Sequence, residues 1–212
     1  VFPIYFVMKV NKAPKEIGYW KKLRETEGPE KIWNPDNGKY KLYTGYKREI
    51  SGDDIGVWMI YDTEDKDTIE VKIGVSFVSI RNARLNMDTE QPNFEFEKVH
   101  ALASKMWNED LSRVVVEGGT EDDKAIFYTA LYHVLIHPNI LQDVNGDYPM
   151  MESLEIGHTT GNRYTVFSLW DTYRNVGPLM TLLYPEKQLD IIRTMIAMYK
   201  ENGWLPKWEL YG

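Results

Sequence analysis

At about Ile80 the spacing of apolar residues changes, and the change divides the chain into a β half and an α half. Upstream, "FPIYFVMKV", "KYKLYTGYKREI", "IGVWMIYD" and "TIEVKIGVSFV" are rich in β-branched and aromatic residues, with partial alternation. Such runs read as strands. Turn material separates them: "NPDNGK" with its Asn37-Gly38 pair, "SGDD" and "DTEDKD". The last three runs are joined by short turns, so an antiparallel β-sandwich fits. "KAPKEIGYWKKLRETEGPEK" reads as a charged loop at the sandwich edge.

Downstream the period is helical. "NFEFEKVHALASKMWNEDLSRV" carries Val99, Leu102, Met106 and Leu111, with Ala103 and Trp107 beside them. This predicts an amphipathic helix linking a β domain to an α domain. "VVVEGG" is a short strand or connector. "TEDDKAIFYTALYHVLIHP" opens with Thr120 and Asp123 at capping-box spacing and acids in its first turn. Its apolar stripe is Ile126, Phe127, Ala130, Leu131, Val134 and Leu135, and Pro138 ends it. The 28 residues "NILQDVNGDYPMMESLEIGHTTGNRYTV" read as a long polar loop, and long loops in compact domains are often functional. A third helix starts near "SLWDTYR". A fourth, "PEKQLDIIRTMIAMYKENG", has Pro185 at its start and Gly203 just past its end. Its expected core stripe is Leu189, Ile192, Met195, Ile196 and Tyr199. The short Leu183-Tyr184-Pro185 connection predicts antiparallel pairing of the last two helices. Paired helices with long loops at one end suggest an α/α toroid.

Composition excludes several classes of function. The net charge of -7 argues against a nucleic-acid backbone or an anionic membrane surface as partner. With no cysteine there is no disulfide, thiolate metal site or cysteine nucleophile. No apolar run approaches the roughly 18 residues of a membrane span, and no signal peptide is visible. No phosphate-binding glycine loop and no GxSxG elbow is present. The seven Trp and 14 Tyr are a rich supply of flat faces, which suit sugar rings as well as cores.

Two short stretches carry the candidate chemistry. In "FSLWDTYRNVGPL", Ser168 and Asp171 have helix-capping spacing. Asp171 and Arg174 stand three apart, on one helix face if the helix is continuous. An ionised carboxylate beside a guanidinium suits vicinal sugar hydroxyls, one group accepting and the other donating. Trp170 would offer an apolar face. Pro178 predicts either a kink or a helix that begins there. In "GWLPKWELYG", Trp204, Trp208 and Glu209 follow a glycine C-cap, in a loop position where binding residues gather. The two tryptophans are either binding faces or plugs under a loop. Glu209 is either an acid whose pKa is raised by burial against the indole or a plain hydrogen-bond acceptor.

The histidines offer less. His133 and His137 have i,i+4 metal-pair spacing, but no glutamate stands at the required position between them. They read as core or interface residues, and His100 as a surface residue. His158, in "GHTTGNRYT", lies in a Gly-rich loop that could reach a site. "DVNGDY" lacks the further oxygen ligands of an EF-hand.

"GVSFVSIRNARLNM", "VEGGTEDDKAIFYTALYHVLIHPN" and "GNRYTVFSLWDTYRNVGPLMTLLYPEKQLDIIRTMIAMYKENGWLPKWEL" together resemble glycoside hydrolase family 92, from about Ile69 to Leu210. These are calcium-dependent α-mannosidases, many from gut bacteria that degrade mannan and N-glycans. The resemblance implies an α+β multidomain fold: an N-terminal antiparallel β-sandwich over residues 1–80, a linker helix and connector over 81–118, and the first helices of an (α/α)6 catalytic toroid over 119–212. It implies exo-acting, inverting, calcium-dependent hydrolysis of α-mannosidic bonds, α-1,2 links foremost. The substrate would be a mannose-containing oligosaccharide or N-glycan, and the enzyme an exported one. Asp171 would grip the mannose, with Trp170, Arg174, Trp208 and Glu209 as pocket companions. General acid, general base and calcium ligands would follow beyond Gly212, so that the chain reads as an N-terminal fragment, inactive alone. Where family members often show His-Pro-Leu, this chain has Gly177-Pro178-Leu179. Two other readings stand beside this one: a carbohydrate-binding or scaffold module without hydrolysis, and another (α/α)6 glycosidase acting on glucosides.

Overall fold

The computed structural model describes residues 3–22, 40–52, 54–153 and 155–209. The chain divides into two compact units, one of Val10–Glu70 and one of Val1–Lys9 with Val71–Gly212.

In the smaller unit, β2 (Glu16–Lys22) lies between β3 (Tyr40–Thr44) and β4 (Ile55–Ile60), antiparallel to both. Residues 16–22 are thus the central strand of a sheet, not the loop expected from their lysines. The lysines flank "IGYW", whose aromatics pair across the sheet. Tyr19 stacks on Tyr43 at 4.7 Å, and Trp20 meets Tyr40 edge-on at 5.1 Å. Such cross-strand pairs stabilise a sheet by about 0.2–1 kcal/mol each. The indoles of Trp20 and Trp58 lie across Gly56 and Gly18, where a Cβ would fall within 2.4 Å of ring atoms. The rest of the expected edge loop and the "NPDNGK" turn lie outside the described residues.

In the larger unit, β1 (Tyr5–Val10) pairs with β5 (Val71–Ser76), and α1 (Ile80–Glu90) packs on β5. Ser79 caps α1 by accepting from the Asn82 N–H at 3.0 Å. The sequence pattern hides this helix because two of its four buried residues are asparagines, 82 and 86. A Cβ on Gly74 would meet Ala83 O at 2.2 Å, so α1 sits against bare backbone there.

Helices α2 (Phe96–Leu111) and α3 (Glu121–Ile136) follow. The Thr120–Asp123 capping box at the start of α3 forms in both directions. The apolar faces behave differently from expectation. α2 buries none of its residues and leaves Val99, Leu102 and Met106 exposed. α3 buries only Leu131, and Ile126 is exposed. His133 and His137 are exposed rather than core residues, and His137 is already outside the helix as its extended C-cap. His100 is exposed as expected.

The expected long loop contains four short strands. It holds β6 (Asn139–Ile140), β7 (Asp147–Pro149), β8 (Ile156–His158) and β9 (Tyr164–Thr165), with β6 antiparallel to β9 and β7 to β8. The third helix is split into α4 (Leu169–Thr172) and α5 (Val176–Leu183), separated by Tyr173-Arg174-Asn175. Asn175 caps α5 with its own side chain, and Pro178 falls in the first turn, where a missing N–H costs nothing. α5 packs on α6 (Pro185–Asn202), which ends on left-handed Gly203 at φ 82°. α6 buries Ile191, Thr194 and Met198, whereas Leu189, Ile192, Ile196 and Tyr199 are exposed. The helix is apolar on both sides. Tyr164, Phe167, Met180 and Tyr184 join Ile191 and Met198 in the core, and so select the face that is buried.

Candidate functional site

The two stretches singled out in the sequence meet at one place. β9 runs into Val166 and Phe167, and these residues close on Glu209 from the far end of the chain. The Phe167 N–H donates to the Glu209 carbonyl at 2.9 Å. The Thr165 hydroxyl lies 2.9 and 3.0 Å from the two carboxylate oxygens of Glu209. The Val166 N–H also reaches that carboxylate. Val166 has φ 64°, an outlier for a β-branched residue that costs about 1–3 kcal/mol. The strained backbone sits where three consecutive residues, 165 to 167, all bond to Glu209.

Glu209 itself is 7% exposed. Burial pushes its carboxyl above the ordinary glutamate range, while the Thr165 hydroxyl, the Val166 N–H and the positive charge of Arg163 pull it part of the way back. Its neighbour Trp208 is 53% exposed.

The rim of the corner is open. Trp170 is 63% exposed, with the Lys207 ammonium 5.6 Å above its ring. Asp171 is exposed and accepts from the Ser168 hydroxyl at 2.5 Å. The capping box suggested by their spacing does not close. Ser168 makes no side-chain cap bond; its hydroxyl donates to the Asp171 carboxylate instead. Nor does Asp171 pair with Arg174 among the described residues. α4 ends at Thr172, so Arg174 lies past the helix and loses the i+3 position. Its Nε donates to the Tyr173 hydroxyl at 2.8 Å, and its guanidinium lies over the Tyr173 ring. Trp170, Asp171, Trp208 and Glu209 thus share one region, and Arg174 is turned onto its neighbour.

A buried polar network behind this corner leaves little trace in the sequence. Arg163 forks onto Glu201 with bonds of 3.0 and 2.8 Å, and the two side chains are 3% and 7% exposed. The Tyr148 hydroxyl (2.9 Å) and the Met151 N–H (3.1 Å) donate to the same carboxylate. The Arg163 guanidinium stacks 4.5 Å from the Tyr148 ring. Arg163 looks like loop solvation in the polar run "GHTTGNRYT". Arg163 stands just before β9, and it is buried together with Tyr164 and Thr165.

The described residues do not build a calcium site. In "DVNGDY", Asp143 is buried, and its oxygens take Ser76 Oγ (2.7 Å), Asn82 Nδ2 (2.8 Å) and Asn86 Nδ2 (2.6 Å). Asp147 is held by Asn82, Asn145 and His158, and those bonds lower its pKa, Asn82 most. His158 therefore serves this knot. Lone pairs spent on N–H and O–H donors are not available to a cation that wants six to eight oxygens. Among the described residues, no group of three His, Asp or Glu side chains is placed to hold a metal.

Residues 82–212, well over half of the chain, match the glycosyl hydrolase family 92 catalytic domain. The chain belongs to glycosyl hydrolase family 92. Its structure is similar to that of a family GH92 alpha-mannosidase from Bacteroides thetaiotaomicron, with TM-score 0.79 and 27% identity over 98% of this chain and 26% of that one. A structure of that enzyme in complex with mannoimidazole gives the same score and identity over 99% and 26%. A family GH92 inverting mannosidase from the same bacterium gives 0.81 and 27% over 98% and 26%. The likeness covers the N-terminal strands as well as the helices, so strands in small sheets followed by helices are the fold of this part of family 92. An uncharacterized secreted glycosidase of Arthroderma benhamiae is 30% identical over 113 residues, 51% of this chain and 14% of that protein. The chain spans about a quarter of the length of these solved family 92 structures.

Proposed function

We propose that the full-length enzyme is an exo-acting, inverting α-mannosidase that prefers α-1,2 links, and that the corner formed by Trp170, Asp171, Trp208 and Glu209 binds the mannose it removes. The observation that carries this reading is the buried Glu209, clamped by residues 165–167, a few residues in sequence from the exposed Trp170, Asp171 and Trp208. The names of the solved relatives support it: they are mannosidases, one inverting and one holding mannoimidazole.

The chemistry follows from the groups present. An ionised carboxylate has about four acceptor sites. Thr165 and Val166 occupy two on Glu209, leaving room for sugar hydroxyls. Asp171 uses one on Ser168 and keeps the rest. The indoles of Trp170 and Trp208 offer apolar faces to the C–H side of the pyranose. Arg174 supplies donors once it leaves the Tyr173 hydroxyl. In an inverting enzyme the acid and the base stand about 6.5–9.5 Å apart on opposite faces of the sugar. Both come from residues outside this chain, as do the ligands of the calcium on which we propose the enzyme depends.

In the same reading, residues 1–80 are part of a β-sandwich domain, 81–118 a helical linker, and 119–212 the opening helices of an (α/α)6 toroid. The exposed apolar faces of α3 and α6 support this, since helices of such a toroid pack on both sides. The substrate is a mannose-containing oligosaccharide or N-glycan. Export is supported by the name of the fungal relative, a secreted glycosidase.

Gly177 bears on specificity. A Cβ there would meet only Thr172 O, at 3.6 Å, an ordinary contact. Packing therefore does not require glycine, and Gly177→His is expected to fold and to shift KM for mannosides. An unchanged KM would remove this position from the pocket. The reading as a whole is tested by incubating the full-length enzyme with α-1,2-mannobiose, with and without a chelator. Mannose release that stops on chelation is expected. Turnover of α-glucosides instead, untouched by chelation, would point to a different glycosidase.

A further inference from the structure

We infer that Arg163, paired with Glu201, is a positioning residue for the Glu209 end of the sugar-binding corner. The inference rests on the proposed role of that corner in binding mannose. β9 is a short bar with both ends locked. At its head, the Arg163 guanidinium is fixed by the bidentate Glu201 pair and by the Tyr148 ring. The Arg163 backbone is fixed too: its N–H donates to Gln142 Oε1 at 2.7 Å, and its carbonyl accepts from the Leu141 N–H at 2.8 Å. Two residues on, Thr165 holds the Glu209 carboxylate. A shift of Arg163 is therefore a shift of Thr165, Val166 and the carboxylate they carry.

The two charges that face Glu209 are of opposite sign. Arg163 favours the ionised carboxylate and Glu201 opposes it. A purely structural pair would affect Glu209 in the same direction whichever partner was removed. Arg163 adds its charge to its hold on Thr165, so removing Arg163 and removing Glu201 move the Glu209 carboxyl in opposite directions.

The test uses full-length Arg163→Gln, Arg163→Lys and Glu201→Gln enzymes, with KM and kcat for an aryl α-mannoside measured across pH. In Arg163→Gln, KM is expected to rise at least tenfold with a smaller change in kcat, and the acid limb of 1/KM to move to higher pH. In Glu201→Gln that limb is expected to move to lower pH, and Arg163→Lys to restore part of the loss. Should Arg163→Gln fail to fold, the Arg163→Gln/Glu201→Gln double variant, which leaves no lone buried charge, is compared with Glu201→Gln and isolates the same cation. Limbs that shift in one direction or not at all, with KM unchanged in a folded variant, overturn the inference and leave the mannosidase reading standing. A wild-type enzyme without turnover of α-mannosides overturns both.

Discussion

Asp171 and Glu209 are two carboxylates with opposite surroundings. Asp171 is exposed and held by a single hydroxyl, so Asp171→Asn should leave the melting temperature unchanged. It should also lower kcat/KM of the full-length enzyme about 10- to 100-fold, the worth of hydrogen bonds to a charged group. Equal activity in the variant would take Asp171 out of the pocket. Glu209 is buried, and its pKa is raised above the unfolded value by that burial. It therefore binds its proton more tightly folded than unfolded. Its contribution to stability is greatest below the ordinary glutamate range and declines as pH rises toward the folded value. Glu209→Gln removes this decline. Melting curves of variant and wild type should diverge in the variant's favour as pH rises through that window. A constant difference would show that burial is not what shifts the group. At this scale the sequence is informative about residue types and blind to partners. Ser168 and Asp171 do bond, but side chain to side chain, because the helix they would cap is only four residues long. Arg174 lacks its carboxylate for the same reason.

Helix ends are legible because their signals are local. The capping box of Thr120 and Asp123 and the Pro185–Gly203 limits of α6 form where expected. Thr120→Ala should cost about 0.5–2 kcal/mol. Gly203→Ala should cost about 1–2 kcal/mol, because φ at 203 is left-handed; urea melts of the two variants check both. Faces and strands are less legible. α6 carries two apolar faces, and periodicity alone cannot choose between Ile192 and Ile191. α1 is hidden because Asn82 and Asn86 are buried to satisfy Asp143, a partner 57 or more residues away. β2 is hidden by its lysines, and β6 to β9 by their length of two or three residues. In each case the deciding contact is long-range, and a local pattern cannot carry it.

At the scale of the molecule, the chain holds the Glu209 corner that we propose binds mannose and the buried network behind it, and the solved family 92 structures it resembles are about four times longer. Exposed apolar residues line α2, α3 and α6, more than isolated surface hydrophobes need. The 212-residue chain alone is therefore expected to turn over no α-mannoside. The most direct measurement is proton NMR of α-1,2-mannobiose hydrolysis by the full-length enzyme, following the anomeric signals before mutarotation. Initial release of β-mannose, slowed about 10- to 100-fold with Asp171→Asn and absent with the isolated chain, is the predicted result. Release of α-mannose first, no hydrolysis at all, or full activity in Asp171→Asn would contradict the mannosidase reading of this corner.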